Sequence, residues 1–372
     1  MLRIFLYEFV TGGGFLGDGW GWPPDSLRRE GAAMAAALAA DLVAVGAQVD
    51  MLQDDRLVRF CPRGTERTAG PGPAEGGIEA AAVRRVRSAE EERTAFRELA
   101  AACDGTIVIA PELGHALLER CRWVDAAGGR LLGPSLESVA LASDKHATAE
   151  RLRRSGVPVP CGCLVEPRGI LPGTFEFPAV GKPCLGAGSQ GVQLLGNRSA
   201  AERWAAGLRE TSRLERFHPG MAASVAVLCG SAGLFPLLPC RQRLGGPGGF
   251  CYLGGSLPLE NGLGRRAAEL AVRSVATLPG PMGYLGVDLV LGADPSGRDD
   301  VVIEINPRLT TSYVGLRAAA DANLAAALLD ACNGRVPRLS FRPVEVQFDS
   351  DGNCRLGAPD VTEVAGFRTG SG

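Results

Sequence analysis

Lysine is almost missing from this chain. Of its 39 basic residues only Lys145 and Lys182 are lysine; the other 37 are arginine. A GC-rich genome whose surface lysines have drifted to arginine accounts for the 37, but not for where the two exceptions fall. Histidine is scarce as well, at three residues, and the 11 cysteines include no CxxC pair. The closest two, Cys161 and Cys163, sit in "CGC". These absences argue against a zinc site or a secreted disulfide framework, and for reduced thiols in a cytoplasmic protein. A net charge of −2 gives no reason to expect nucleic acid or an anionic membrane as partner. The opening "MLRIFLYEFVTGGG" has no apolar run long enough for a signal peptide or a membrane span. No internal repeat is visible.

What is present describes a globular protein. Hydrophobic residues make up 46% and charged residues 22% of 372, enough chain for two or three domains. "RIFLYEF" reads as a strand and "LRREGAAMAAALAADLVAVG" as an amphipathic helix closed by Gly46. Strands are expected near "AQVDML", at "AAVRRV" and at "GTIVIA", with a Pro/Gly-rich loop from Cys61 to Gly77 and a helix at "AEEERTAFRELAAAC". Alternating strands and helices predict a parallel-sheet, Rossmann-like α/β domain over residues 1–135. "SLESVALASDKHATAERLRRSG" reads as two helices, the second capped by Ser143 or Asp144. Strands with Gly-rich turns follow, then the helix "LGRRAAELAVRSVATL" and a last helix "VGLRAAADANLAAALLDAC". The expected divisions are a lid subdomain over 136–215, a larger α+β subdomain over 216–335, and a polar tail over 336–372 with a short hairpin.

"GAGSQG" (186–191) matches GxGxxG. A dinucleotide site needs a helix after the glycines, but the β-like "VQLL" follows. A protein kinase carries its lysine after the glycines, but Lys182 precedes them. The arrangement left is a β-hairpin flap. Its backbone amides from Gly186, Gly188, Ser189, Gln190 and Gly191 can close over phosphates, with Lys182 beneath. A flexible hairpin with no ligand is the alternative. Lysine, a compact and mobile point charge, suits single phosphate oxygens better than arginine's fork.

"GYLGVDLVLG" and "VVIEIN" flank the turn-rich "ADPSGRDD", which predicts an antiparallel hairpin. Alternation puts Val301, Ile303 and Ile305 on one face of the second strand, and Val302, Glu304 and Asn306 on the other. Asp288 falls near Glu304, so three oxygen-bearing side chains converge: Asp288, Glu304 and Asn306. Such hard donors suit Mg²⁺ or Mn²⁺. The alternative is that the carboxylates pair with arginines such as Arg241 or Arg308.

Together these pieces resemble the ATP-grasp superfamily of carboxylate–amine ligases, over about Leu141 to Leu329. "SDKHAT" and "AVGKPCLGAGSQGV" are similar to its phosphate-binding lysines and lid, "LERFHPG" to its adenine-holding hinge, and "GVDLV…VVIEINPR" to its metal strand. The resemblance implies a pre-ATP-grasp domain followed by a two-lobed α+β ATP-grasp fold. It implies ATP held by Lys145, Lys182 and the flap. Main-chain groups around Arg216 and Phe217 would read adenine, with Glu215 alongside. Mg²⁺ or Mn²⁺ would lie on Asp288, Glu304 and Asn306, and Arg308 would stabilise charge on an acyl phosphate. Where members often carry a ribose-binding glutamate, Met221, Ala222 and Ala223 stand instead, and His218 is the substitute.

For small-molecule substrates, Glu8 and Glu112 end N-terminal strands and suit an ammonium; Arg241 is a further candidate. Thr310, Thr311 and Tyr313 offer hydroxyls, with Thr311 or Ser312 capping the next helix as the alternative. "YEFVTGGG", "APE" and "NPRLTTSY" are similar to the tyramine–glutamate ligase family of methanofuran biosynthesis. That resemblance implies amide formation between glutamate's γ-carboxylate and tyramine or a tyrosine-like amine, with ADP and phosphate released; a homodimer is a separate expectation. Another ATP-grasp amino-acid or peptide ligase, or a non-catalytic nucleotide-binding protein, are the rivals.

Overall fold

The computed structural model describes residues 1–17, 19–59 and 81–357. The loop expected over Cys61–Gly77 and the end of the tail lie outside the described residues.

Four parallel strands form the first sheet: β1 (Arg3–Glu8), β2 (Gln48–Asp54), β3 (Ala82–Val86) and β4 (Gly105–Ile109), in the order β3-β2-β1-β4. Alternation along β1 builds two cores. Phe5 and Tyr7 pack with helices Ala89–Ala102 and Ala116–Ala126, whereas Ile4 and Leu6 pack under helix Asp25–Ala44. The second core does not stop at the domain edge. It runs on into Leu316, Leu324 and Leu328 of two late helices.

A small antiparallel sheet holds the flap: β5 (Gly162–Val165), β6 (Ala179–Pro183), β7 (Gln193–Leu195) and β8 (Ser212–Arg216), in the order β5-β8-β6-β7. Helix Arg198–Ala206 covers it through Trp204. The remaining strands are β9 (Met221–Gly230), β10 (Gly233–Pro236), β11 (Cys240–Gly245), β12 (Cys251–Leu257), β13 (Gly283–Leu291), β14 (Val301–Asn306), β15 (Val346–Asp349) and β16 (Cys354–Leu356). They make one eight-stranded sheet, β14-β13-β9-β11-β12-β15-β16, with β10 on β9. One face packs on helix Asn261–Val275. The other meets helices Ser312–Ala319 and Leu324–Cys332 and the second core. This is the expected fold class, a parallel α/β domain followed by a two-sheet α+β unit.

Two differences are local. The single helix expected over 314–332 is two, because Asn323 turns the chain out and its side chain caps the second at Ala326 N. The expected polar tail is not separate, since β15 and β16 extend the large sheet from β12.

Candidate active site

The flap hairpin has its expected form. β6 and β7 pair from Ala179↔Leu195 to Gly181↔Gln193, and Gly186, Gly188, Ser189 and Gly191 between them all have positive φ. Lys182 leaves β6 toward the large sheet and is almost wholly buried. Its Nζ lies 2.5 Å from Glu215 Oε1, and Arg213 Nε donates to Glu215 Oε2 at 2.8 Å. Glu215 therefore sits between two cations. Lys145 begins helix Lys145–Arg154, capped by Asp144. Its Nζ donates to the Gly186 carbonyl at 2.6 Å and lies 3.4 Å from Glu304 Oε2. Both lysines of the chain thus reach one cavity between the two sheets.

The strand across the cavity departs from simple alternation. Asp288 pairs with Glu304, but Leu289 pairs with Val302, which leaves Ile303 as an extra residue. This bulge puts Val302 in the core with Ile305 and turns Ile303 to the cavity. The Ile303 carbonyl accepts from Lys182 Nζ at 3.4 Å. Asp288 takes hydrogen bonds from Gln242 Nε2 (2.8 Å) and Asn306 Nδ2 (3.1 Å). Burial and then the facing Glu304 push the Asp288 carboxyl well above its usual range. Burial also raises Glu304, but Lys145 and Lys182 outweigh it and hold that group low. Two opposed carboxylates and a carboxamide are donors that a divalent cation would relieve. Among the described residues no three His, Cys, Asp or Glu side chains cluster as a metal site. Oxygens of a bound phosphate would have to complete the shell.

Residues 142–312, which span both lysines, the flap and the bulged strand, match the ATP-grasp domain, and residues 69–139 match the pre ATP-grasp 3 domain. The chain carries an ATP-grasp domain. Tyramine–L-glutamate ligase of Methanocaldococcus jannaschii is 29% identical over 214 residues, 58% of this chain and 58% of that protein. The enzyme of the same name from Methanocaldococcus fervens is 30% identical over 109 residues, 29% of this chain and 34% of that protein. The aligned region thus spans between a third and just over half of these relatives' length. Among solved structures, biotin carboxylase of Campylobacter jejuni in its β-γ-ATP complex superposes with a TM-score of 0.68 at 16% identity. That match covers 93% of this chain and 74% of that one.

The ATP-grasp cavity gathers most of the expected residues: Lys145, Lys182, Gly186, Gly188, Ser189, Gln190, Glu215, Arg216, Phe217, Asp288, Glu304, Asn306, Arg308, Thr310 and Thr311. Others lie elsewhere. Gly191 packs on Pro183. Arg241 pairs with Ala223 and so lies on the sheet face opposite Asp288, which pairs with Ser224. Its neighbour Gln242 reaches Asp288 instead. Tyr313 is buried between domains, where its hydroxyl donates to Asp41 at 2.7 Å. Glu8 is buried in its own turn, accepting from Val10 N, Thr11 N and Thr11 Oγ1. Glu112 forms a fork with Arg308, at 2.9 Å on both sides. It meets a cation, but the protein's own. The Arg216 and Phe217 N–H groups donate to Cys161 and Pro178 carbonyls, so neither N–H is free to read adenine. Ala222 and His218 do line the cavity, with His218 Nε2 2.6 Å from the Asp299 carbonyl, whereas Ala223 faces the opposite core. Thr311 stands at the N-cap of helix Ser312–Ala319 without a side-chain capping bond, since its hydroxyl bonds Glu30, while Ser312 bonds Tyr284 and Thr310.

Sequence reasoning missed Gln242, Glu30, Ser224, Phe250 and Tyr252, all of which line the cavity. For Gln242 a signal existed. Alternation in "PCRQRL" puts Gln242 on the face of Cys240, opposite to Arg241.

Proposed function

We propose that this protein is an ATP-dependent carboxylate–amine ligase that releases ADP and phosphate. The observation that carries the proposal is the convergence of both lysines, the glycine flap and the Asp288–Glu304 pair on one cavity. The carboxylate of one substrate attacks the γ-phosphorus of ATP. The bond from that phosphorus to its bridging oxygen breaks, and ADP leaves with the electron pair. Lys145, Lys182 and flap amides hold the phosphate oxygens on which charge builds. Asp288, Glu304 and Asn306 would hold Mg²⁺ or Mn²⁺, which when bound supplies positive charge against those oxygens. Arg308, held at the cavity wall by Glu112, supplies positive charge toward the acyl phosphate, and the flap excludes water that would hydrolyse it. The amine, having lost a proton to solvent, attacks the acyl carbon. The carbon–oxygen bond to phosphate breaks, the phosphate leaves with the electron pair and takes up the nitrogen's second proton, and an amide remains.

The substrate pair we propose is the γ-carboxylate of L-glutamate and tyramine or a similar aryl-alkyl amine, in the synthesis of a methanofuran-type cofactor. The names of the two aligned relatives support it, as do Leu244, Phe250 and Tyr252, an apolar wall fit for an aromatic ring. The test is ADP release from ATP and Mg²⁺ with L-glutamate and tyramine. Wild-type protein is expected to release ADP only with both present. Lys182→Met and Glu304→Gln are expected to lose at least about 10²-fold in rate while remaining folded. ADP release by both variants at the wild-type rate overturns the assignment.

A further inference from the structure

Three carboxylates from the N-terminal domain lie around Arg308, and two are engaged. Glu8 is saturated by its own turn, and Glu112 by Arg308. The third is Glu30, half-buried on helix Asp25–Ala44 and lining the cavity. Thr311 donates to Oε1 of Glu30, and among the described residues no lysine or arginine is paired with it. It lines the same cavity as Arg308 and Tyr252, where the reaction centre and the apolar wall share one space.

The helix is built to bring it there. A Cβ at Gly31 would come within 2.5 Å of the Glu8 carboxylate, so only glycine lets the helix settle this close to the end of β1. Leu27, one turn before Glu30 on the same face, stands 3.5 Å from where a Cβ on Gly188 of the flap would lie. One helix face therefore meets both the flap and the cavity beneath it.

We infer that Glu30 binds a primary ammonium group of a substrate. Resting on the ligase reading, this adds a substrate contact from the N-terminal domain. A carboxylate beside a hydroxyl, with no cation of its own, suits a group that only donates hydrogen bonds. A metal ion would need more oxygen donors than Glu30 and Thr311 provide. Either substrate could bring the ammonium: the amine before it loses its proton, or the α-ammonium of glutamate.

Glu30→Gln keeps the size of the side chain and an oxygen to accept from Thr311, but removes the charge. Calorimetric titrations of wild type and Glu30→Gln would use L-glutamate, glutarate, tyramine and 4-ethylphenol, each with Mg²⁺ and a non-hydrolysable ATP analogue. The variant is expected to bind one amino compound about 10- to 100-fold more weakly, the range for losing a charge-assisted hydrogen bond. Its deaminated analogue and the nucleotide should bind as to wild type. Whichever of L-glutamate and tyramine is affected identifies the source of the ammonium. Binding of both within about twofold of wild type, well below the effect of such a bond, overturns the inference, as does wild type that binds neither. ADP release measured on the same samples separates the two readings. Charge-dependent binding without substrate-dependent ADP release leaves Glu30 assigned and removes the ligase.

Discussion

Lys182 and Glu215 lie 2.5 Å apart and both are almost wholly buried, with Arg213 on the other side of the same carboxylate. Two cations sharing one anion leave a surplus of positive charge aimed at the cavity, which is what a phosphate needs. The pairing also makes Glu215 structural. Glu215→Ala would leave Lys182 and Arg213 unpaired in a buried site, at an expected cost of about 3–5 kcal/mol. Urea unfolding should show it as a lower midpoint with an unchanged slope; an unchanged midpoint would remove Glu215 from this role. Lys182→Met leaves Glu215 its Arg213 partner and should cost much less. The two lysines were legible in the sequence because lysine is otherwise absent. Glu30 and the partner of Glu112 were not, because the contacts with Thr311 and Arg308 join residues 281 and 196 apart along the chain. The ammonium expected at Glu112 is replaced by a guanidinium that no local pattern could reveal.

Among the elements, the flap is the one to whose backbone the proposed reaction assigns a role. Gly188 has φ of +65° in an open turn, a conformation that costs a β-branched residue about 1–2 kcal/mol. Gly188→Val is therefore expected to disturb the flap and leave the rest of the fold intact. Proteinase K digestion with and without ATP and Mg²⁺ reads this directly. Nucleotide should protect residues 184–192 in wild type and fail to do so in the variant; equal protection of both would show that the flap does not close. This hairpin was readable because its lysine, glycines and following strand are adjacent in sequence. The bulge at Ile303 was not, since register depends on the partner strand, and strict alternation assigned Val302 to the wrong face. Nor was the break between helices Ser312–Ala319 and Leu324–Cys332, where alanine-rich sequence runs on through Asn323.

At the scale of the molecule, no cut separates the N-terminal domain from the rest. Helix Asp25–Ala44 shares its core with Leu316, Leu324 and Leu328, while Asp41 binds Tyr313 and Arg317 and Glu112 binds Arg308 across the same boundary. The small sheet stands apart, meeting the large one mainly around the cavity. Among the described residues no helix is long and apolar enough to cross a membrane. Alternating strands and helices made the parallel sheet legible, and the two later lobes followed from the resemblance to ATP-grasp ligases. The fusion of their cores was not, because it joins residues far apart along the chain. The architecture makes one demand on ligand binding. Lys145 and Lys182 approach the cavity from the flap side and the Asp288–Glu304 pair from the other, so a triphosphate can be gripped from both only if a cation stands between it and the carboxylates. Calorimetric titration of ATP in MgCl₂, repeated in EDTA and with Glu304→Gln, tests this most directly. Binding in Mg²⁺ is expected to be lost in EDTA and in the variant, whereas equal affinity in all three would rule out a cation between the phosphates and the carboxylates.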